Sequence, residues 1–299
     1  MTRFSADWLR LREPFDHRAR DTAAVKRALP KLVARWREVA AGQALAVVDL
    51  ACGNGANMRE LAPQMGGPQI WRLVDRDPAL LAAVPDALAE WAGSHRYRFA
   101  LGEGEGAVRS IHVTGPDFSA TVTRHRIDLA RDLAALDFAQ TPLVTASALL
   151  DLVSASWLQA LIRKARGARA AMLFALNVDG RTTWNPTDPG DESVHSLFSQ
   201  HQRRDKGFGL ALGPQAAAIA LQHMASAGYQ TLQTRSDWII DGAQAAEMQR
   251  AMVEGMAAAA LEQEPAARGA VQLWKARRLA GVGATRLRVG HVDIVATLR

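Results

Sequence analysis

The stretch Val47-Val-Asp-Leu-Ala-Cys-Gly-Asn-Gly-Ala-Asn57 decides the predicted fold. It overlaps a short apolar run, residues 44–48, which is typical of a strand buried on both faces of a parallel sheet. The two glycines, Gly53 and Gly55, then predict a turn whose backbone can approach a ligand closely. A short helix is expected from there to about Met65, and its first N–H groups are free to bind an anion. The stretch therefore predicts a strand, a ligand-binding turn and a helix in succession.

Further strands and helices alternate along the chain. Core strands are predicted at residues 70–74, 121–127, 142–146, 170–176 and 229–235, with a closing edge strand at 291–298 and a hairpin pairing 108–113 with 120–126. Asp77, with Pro78 at the first helical position, predicts the start of a helix that Pro85 should kink or restart. Strands that alternate with helices in this way predict a doubly wound, mostly parallel sheet.

Three segments lie outside this minimal sheet. Residues 1–43 are amphipathic and predict an N-terminal helical cover, with a break at Pro14 and a helix that Asp21 can cap. Within the remaining domain, residues 44–299, the polar segment 177–213 is rich in glycine and proline and is predicted to be a loop-rich, lid-like segment. Residues 241–280 are alanine-rich and predict helices inserted before the last strand.

Composition limits the class of protein. Apolar residues make up 48% of the 299 residues and charged residues 22%, which excludes a disordered or fibrous chain. The single cysteine, Cys52, excludes a disulfide framework. The N-terminus lacks the apolar core of a signal peptide, and no window approaches the ~18 uninterrupted apolar residues of a membrane span. We therefore expect a cytoplasmic protein without a membrane segment.

The charge raises the question of nucleic acid. The net charge is +6 and the pI about 10.1, and arginine carries most of the excess. The densest clusters, residues 203–206 and 275–278, are short and have few aromatic residues between them. A groove that follows a phosphate backbone needs a longer basic stripe with stacking platforms, so nucleic acid is the less favoured partner. The eight histidines show no metal-site spacing, and no metal is predicted.

Polar residues follow the predicted strands. Ligands of an open parallel sheet bind outside the carboxyl ends of the strands, where the strand order reverses. Asp75, 22 residues after Gly53, follows the second strand, where a carboxylate can accept both hydroxyls of a ribose. Asp128 and Ser147 follow the third and fourth strands. This arrangement predicts a ligand with a ribose and an adenine, lying between Asp75 and Asp128.

Four motifs distinguish between two kinds of nucleotide cofactor that such a site could bind. A dinucleotide fingerprint is Gly-x-Gly-x-x-Gly, whereas this chain has Met58 at the third glycine and an acid, Asp49, before the turn. The sequence resembles the class I S-adenosylmethionine-dependent methyltransferases in the stretch quoted above and in Leu73-Val-Asp75, Ile127-Asp-Leu129 and Thr145-Ala-Ser-Ala-Leu-Leu-Asp151. The resemblance covers residues 45–176, and residues 229–298 by pattern alone. It implies a Rossmann-like, seven-stranded sheet of the methyltransferase type.

The resemblance also implies S-adenosylmethionine as the cofactor. It assigns to the cofactor site Asp49, Ala51, Gly53, Gly55, Asn57, Asp75, Asp128, Leu129 and Ser147. In this family the glycine turn holds the methionyl part, and Asp49 would orient the turn or accept from the amino group. The second acid, Asp75, binds the ribose, the third motif flanks the adenine, and Ser147 lies near the transferred methyl. Two departures are Ala51 in place of the usual first glycine and the helices at 241–280 in place of a simple hairpin.

Methyl transfer from a sulfonium is an in-line displacement, so the protein mainly positions a nucleophile and excludes water. Proximity alone supplies ~7–11 kcal/mol of the barrier. A general base is needed only for a weakly acidic hydroxyl or a protonated amine. The candidates for this base are Asp151, His195 and His201. The candidates for substrate contacts are Arg12, His17, Asn177, Trp184 and Lys206.

The sequence thus predicts an enzyme that transfers a methyl group to an oxygen or nitrogen of a small-molecule acceptor. Three alternatives stay open: a nucleic-acid methyltransferase, a protein that binds S-adenosylmethionine without transfer, and a nucleotide-dependent oxidoreductase. The last is disfavoured by Met58 and Asp49. All of them use one fold, so the fold alone does not separate them.

Overall fold

The computed structural model describes residues 5–21, 24–39, 42–103 and 109–298. Its strands are β1 (Leu45–Leu50), β2 (Gly67–Asp75), β3 (Arg98–Leu101), β4 (Ile111–Thr114), β5 (Phe118–Arg126), β6 (Leu143–Ser147), β7 (Ala171–Asn185), β8 (Gln230–Arg235), β9 (Trp238–Asp241) and β10 (Arg286–Thr297). Its helices are α1 (Ala6–Asp21), α2 (Ala24–Val39), α3 (Ala56–Met65), α4 (Pro78–His95), α5 (Ala155–Gly167), α6 (Asp191–Gln202), α7 (Ala216–Ser226), α8 (Ala246–Gln263) and α9 (Arg268–Ala280).

The strands form one sheet in the order β3-β4-β5-β2-β1-β6-β7-β10-β8, and β9 pairs with β10. The five strands from β5 to β7 run parallel, and β10 runs antiparallel to both of its long neighbours. From β1 the chain moves outward through β2 to β5 and then returns to β6 on the other side of β1. The strand order therefore reverses between β1 and β6, which is where an open α/β sheet binds its ligand. The predicted doubly wound, mostly parallel sheet is confirmed.

Strand β1 shows why the sheet has helices on both faces. Leu45 and Val47 pack into the core beneath α2, α3 and α4, whereas Val48 and Leu50 pack into a second core beneath α5 and α7. All four side chains are almost fully buried. A strand that is apolar in both directions needs cover on both sides, and the neighbouring helices supply it.

Helix starts follow the local sequence. The Asp77 carboxylate accepts a hydrogen bond from the Ala79 N–H at 2.9 Å and caps α4 as predicted. Helix α5 is capped by Ser154, whose hydroxyl accepts from the Trp157 N–H at 3.3 Å. Ser147 is instead the last residue of β6, which leaves its side chain at the carboxyl edge of the sheet.

The predicted break at Pro14 and the predicted restart at Pro85 are wrong. Pro14 and Pro85 lie inside the continuous helices α1 and α4. A proline removes one intrahelical hydrogen bond and crowds the preceding turn. In α4 the turns on either side are held by buried Leu81, Val84 and Leu88, and this packing keeps the helix continuous across Pro85.

The predicted edge strand at 291–298 is also placed wrongly, because β10 lies inside the sheet between β7 and β8. Its sequence alternates between apolar and polar residues, which predicts one face in water. The polar residues His291 and Asp293 are nevertheless only 2% exposed. Asp293 accepts hydrogen bonds from the Leu176 N–H at 2.7 Å and the Ser236 hydroxyl at 2.6 Å, so its polarity is satisfied inside the protein.

Segment 177–213 contains more regular structure than the predicted loop-rich segment. Strand β7 continues to Asn185 and α6 spans Asp191–Gln202, whereas residues 186–190 and 203–212 lie outside the helices and strands. The extension of β7 pairs with the first half of β10, which in turn pairs with β9. Helices α6, α8 and α9 pack on one another beside these strands. We call this unit, formed by α6, α8, α9, β9 and the paired ends of β7 and β10, the helical lobe.

The predicted hairpin is confirmed over the described residues, because β4 pairs antiparallel with β5. Position 108 of that prediction lies outside the described residues. Both N-terminal helices are present, and α1 packs against β9 and α8 of the helical lobe. Among the described helices, none has the length and apolar character needed to cross a bilayer.

Candidate functional site

The turn after β1 has an unusual backbone. Ala51, Gly53 and Gly55 all have positive φ angles, of 51°, 56° and 85°. Side chains are disfavoured in this left-handed region, and only glycine adopts it without cost. At Gly53 a Cβ atom would also lie 3.0 Å from the Cδ1 atom of Leu9 in α1. The two glycines are therefore required by backbone shape, and Ala51 adopts the same conformation with a methyl group.

Asp75 ties this turn to the end of β2. Its two carboxylate oxygens accept hydrogen bonds from the N–H groups of Gly53 and Asp77, each at 2.9 Å. The carboxylate is 8% exposed, and burial raises its pKa in spite of these donors. Each carboxylate oxygen has a second lone pair, so Asp75 can accept further hydrogen bonds from a ligand.

A cavity of about 140 Å³ opens where the strand order reverses, and we call it the β1–β6 cleft. It is lined by Leu9, Arg12, Ala51, Gly53, Asp75, Arg76, Asp77, Leu80, Leu129, Ser147, Ala148, Leu149, Leu152, Lys206 and Phe208. Residues predicted from four separate motifs thus meet in one place. Asp128 does not line this cavity: its carboxylate accepts from the Ala130 N–H at 3.1 Å and holds the turn that presents Leu129.

Asp49 lies beneath the glycine turn and is fully buried. Its Oδ1 atom accepts a hydrogen bond from the Asn57 side chain at 2.8 Å, whereas its Oδ2 atom has no hydrogen-bond partner among the described residues. Burial raises the pKa of Asp49 to about 7, although Asn57 and the charge of Arg20 lower it. A buried carboxylate oxygen without a donor is costly, because the water that it lost has not been replaced.

Asn57 connects Asp49 to the rest of the site. Its amide also donates to the Thr145 hydroxyl at 3.1 Å, and its carbonyl oxygen accepts from the Arg20 guanidinium at 2.9 Å. Arg20 is 6% exposed, on the inner face of α1. A buried cation and a buried, partly satisfied carboxylate are therefore linked through one amide.

A second cavity, of about 430 Å³, runs between α1 and α3. Its inner end is lined by Arg20, Asn57, Ser147 and Leu176, and its outer end reaches Trp91. Ser147 lines both cavities, so the two spaces meet beside it. We call this second space the α1–α3 cavity.

Polar contacts hold α1 over these spaces. Arg12 donates to both carboxylate oxygens of Asp16, at 2.9 and 3.1 Å, and Asp16 also accepts from the Trp238 indole at 2.9 Å. Towards α3, Glu13 pairs with Arg59 at 2.7 Å. The predicted substrate residue His17 likewise lies 2.6 Å from a carboxylate oxygen of Glu60, and it lines the α1–α3 cavity.

Sequence reasoning did not find Leu9 or Arg20. A signal for Arg20 was present, because Arg12, Asp16 and Arg20 recur every four residues and so share one face of α1. Leu9 carried no such signal, since an apolar residue on an amphipathic helix is ordinary core packing.

The candidate bases occupy different environments. Burial raises the pKa of Asp151 to about 6, against the opposing charges of Arg12 and Lys206, both of which line the β1–β6 cleft. His201 lies 3.1 Å from Glu262, and burial and Lys206 lower its pKa. His195 accepts a hydrogen bond from the Trp184 indole at 3.1 Å inside the helical lobe, and burial lowers its pKa.

Five of the predicted catalytic or substrate residues line neither cavity: Asp151, His195, His201, Asn177 and Trp184. Trp184 and His195 bind each other, and neither lines the β1–β6 cleft or the α1–α3 cavity. Asn177 is 1% exposed and donates to the carbonyl oxygens of Phe174 and Val292, each at 2.9 Å. Among the predicted catalytic or substrate residues, Arg12 and Lys206 line the β1–β6 cleft and His17 lines the α1–α3 cavity. Asp151 precedes Leu152, which lines the β1–β6 cleft.

Comparison with known proteins bears on the fold. No protein-family model matches the chain, and no curated protein matches it. Among solved structures, a cyclopropane-fatty-acyl-phospholipid synthase-like protein from Lactobacillus casei ATCC 334 is similar, with a TM-score of 0.50 and 14% identity over 95% of this chain and 98% of that one.

Two more distant structures are a putative sarcosine dimethylglycine methyltransferase from Galdieria sulphuraria and an O-methyltransferase family protein from Burkholderia thailandensis. The first has a TM-score of 0.38 and 11% identity, over 90% of this chain and 85% of that one. The second has a TM-score of 0.37 and 17% identity, over 70% of this chain and 53% of that one. The strand order and the similarity to the Lactobacillus structure show that the chain has a Rossmann-like α/β fold.

Proposed function

We propose that this protein transfers a methyl group from S-adenosylmethionine to an oxygen or nitrogen of a small-molecule acceptor. One observation carries the proposal: the buried Oδ2 atom of Asp49 has no partner among the described residues, directly below a glycine turn that Asp75 closes. An ammonium group above the turn would satisfy this oxygen. The cofactor carries such a group on its methionyl part and a ribose at a distance from it.

The residues present fit this cofactor. Asp75 would accept the ribose hydroxyls with its free lone pairs, and Leu129 would contact the adenine. Asp49 would accept from the methionyl ammonium group. Arg20, buried on the opposite side of Asn57, would bind the methionyl carboxylate, so that each charge of the amino acid meets its opposite.

The chain's own residues have three tasks in the reaction. The bound cofactor supplies an electrophilic methyl group, and the protein must hold an acceptor atom in line with it and exclude water. Ser147, which lines both cavities, would lie at the place of transfer. Asp151, with a pKa of about 6, is ionised at neutral pH and suits the removal of a proton from the acceptor.

The β1–β6 cleft by itself is narrow for the part of the cofactor that would lie at Asp75 and Leu129. Its volume of about 140 Å³ is below the ~300 Å³ at which cavities begin to hold ligands of this size. Leu9 and Arg12 of α1 project into it. We therefore propose that α1 shifts when the cofactor enters and then covers it from water.

Calorimetric titration with S-adenosylhomocysteine tests the cofactor assignment. The native chain should bind, and Asp75→Asn should weaken binding by about 10- to 100-fold, because a charged acceptor of hydrogen bonds is lost. Asp86→Asn, on the exposed face of α4, is the matched control and should bind as the native chain does. Absence of binding by the folded native chain would exclude this cofactor.

The transfer step needs its own test, because a protein that binds the cofactor without turnover shares every feature above. Small hydroxyl and amine acceptors are incubated with labelled S-adenosylmethionine, and transferred label is measured. Turnover that Asp151→Asn reduces while cofactor binding is retained would support transfer with Asp151 as the base. Binding without label transfer to any acceptor would favour the binding protein.

A further inference from the structure

Three arginines surround one open space at the edge of the sheet opposite the β1–β6 cleft. Arg163 and Arg166 lie in the last turns of α5, and Arg169 follows the helix. Together with Gly167, Gly228 and Leu298 they line a cavity of about 440 Å³. We call it the arginine cleft.

The described residues that line the arginine cleft carry positive charge alone. All three arginine side chains are exposed, and no carboxylate among the described residues lines the cavity. In the described part of the chain, none of the three guanidinium groups forms an ion pair or a side-chain hydrogen bond. Like charges gathered around one space repel one another, and a bound anion removes that repulsion.

Arg166 is oriented across the cavity. One of its terminal nitrogens lies 3.8 Å from the position that a Cβ atom of Gly228 would occupy. Its charge also acts on the next residue, Tyr229, whose pKa burial raises to about 12 against the lowering effect of Arg166. The guanidinium therefore lies over the turn before β8, and the missing side chain of Gly228 leaves room beside it.

Helix capping does not account for all three cations. The carboxyl end of a helix has a partial charge of about −0.5, which one nearby cation already balances. Lys164 lies in the same turn of α5 and donates to the Ala134 carbonyl at 3.2 Å. Three further guanidinium groups around one cavity exceed what the helix end requires.

We propose that the arginine cleft binds a small anion with two linked phosphate groups, such as pyrophosphate or the diphosphate of a nucleotide. The guanidinium fork matches the oxygens of a phosphate and can bind them in pairs. The two glycines at the rim, Gly167 and Gly228, allow such a bulky anion to approach the backbone. The cavity volume lies in the range of small-molecule sites.

The lining favours a small anion over a nucleic-acid strand. Single strands are bound in long basic grooves with aromatic side chains on which bases stack. The cations here are confined to one cavity, and no aromatic side chain lines it. Because the arginine cleft lies at the far edge of the sheet from Ser147, the anion it binds is not the methyl acceptor.

Calorimetric titration of the full chain with inorganic pyrophosphate, at low salt, tests the proposal. Pyrophosphate should bind, inorganic monophosphate should bind at least about tenfold more weakly, and Arg166→Gln should weaken pyrophosphate binding by about tenfold or more. Arg250→Gln, at an exposed arginine of α8, is the matched control and should leave the affinity unchanged. Circular dichroism checks that each variant is folded.

Several outcomes would overturn the proposal. These are absence of pyrophosphate binding, equal weakening by Arg166→Gln and Arg250→Gln, or binding of a 20-nucleotide RNA that depends on Arg166 while pyrophosphate does not bind. If Arg166→Gln lowers only the thermal stability without an anion, the arginines cap α5 and no more. S-adenosylhomocysteine binding should be unchanged in Arg166→Gln, so this test is independent of the methyltransferase assignment.

Discussion

Two buried polar clusters contrast with each other. In the helical lobe, the Asp191 carboxylate accepts from the Trp274 indole at 2.9 Å, the Asp188 N–H at 2.8 Å and both sides of the Arg278 guanidinium. Burial raises the pKa of Asp191, but these donors outweigh it and lower the pKa overall. At the β1–β6 cleft, Asp49 has one donor and an unpaired oxygen, and its pKa rises to about 7.

The contrast separates a cluster whose hydrogen bonds are complete from one that lacks a donor. Both carboxylate oxygens of Asp191 accept hydrogen bonds from protein groups, so the helical lobe cluster needs no ligand. In the cluster at Asp49, no described residue donates a hydrogen bond to the Oδ2 atom. The unpaired oxygen of Asp49 supports the cofactor site proposed above, whereas the paired indole of Trp184 and imidazole of His195 stabilise the fold.

The largest expected effect is on stability in the helical lobe. Arg278→Met should reduce the free energy of unfolding by about 3–5 kcal/mol, because it leaves Asp191 buried without its cation. Urea denaturation measures this loss. The matched control is Arg277→Met, because the Arg277 side chain is 41% exposed whereas that of Arg278 is 4% exposed, and its loss should be much smaller. Equal losses in the two variants would contradict the structural role given to this cluster.

An intermediate effect is expected from Asp49 and depends on pH. A carboxyl with a folded-state pKa of about 7 and an unfolded value of 3.8 stabilises the folded state while it is protonated. This stability is present below about pH 4 and is lost as the pH rises to about 7, by about 2–4 kcal/mol. Asp49→Asn should remove that part of the slope in unfolding experiments between pH 4 and 8.

Cofactor binding should reduce this loss of folding stability at high pH. S-adenosylhomocysteine places an ammonium group at the ionised carboxylate, so it should stabilise the native chain more at pH 8 than at pH 5. Asp49→Asn should abolish the difference, whereas Asp293→Asn, at a carboxyl whose donors are already present, should retain it. An unchanged difference in Asp49→Asn would place the ammonium group elsewhere.

The smallest effect concerns the cover of the cleft. Leu9→Ala removes the side chain that fills the space above Gly53, so S-adenosylhomocysteine should associate a few-fold faster in stopped-flow experiments. Leu11→Ala is the matched control, because Leu11 packs against the core and does not line the cleft. Slower association in Leu9→Ala would show that Leu9 contacts the ligand and does not obstruct it.

The sequence predicted the structure of the β1–β6 cleft better than that of the helical lobe. At the cleft, the apolar run followed by an acid and two glycines predicted β1, the turn and α3 nearly to the residue. The structure adds a 2.9 Å hydrogen bond from the Gly53 N–H to the Asp75 carboxylate. In the helical lobe, segment 177–213 was predicted to be loop-rich, yet it contains the end of β7 and α6. Its polar residues satisfy one another in the interior, which a one-sided hydrophobic pattern does not reveal.

By itself, the sequence determined the parallel sheet and the edge at which the proposed cofactor site lies. Both follow from local patterns, because strand burial and turn geometry depend on residues close in the chain. Only the tertiary structure decided what covers that edge and which groups remain unsatisfied. The Asp16 carboxylate of α1 meets the Trp238 indole from 222 positions away, and this contact helps to set Leu9 and Arg20 over the turn. Such pairings depend on the packing of whole elements, which no local spacing encodes.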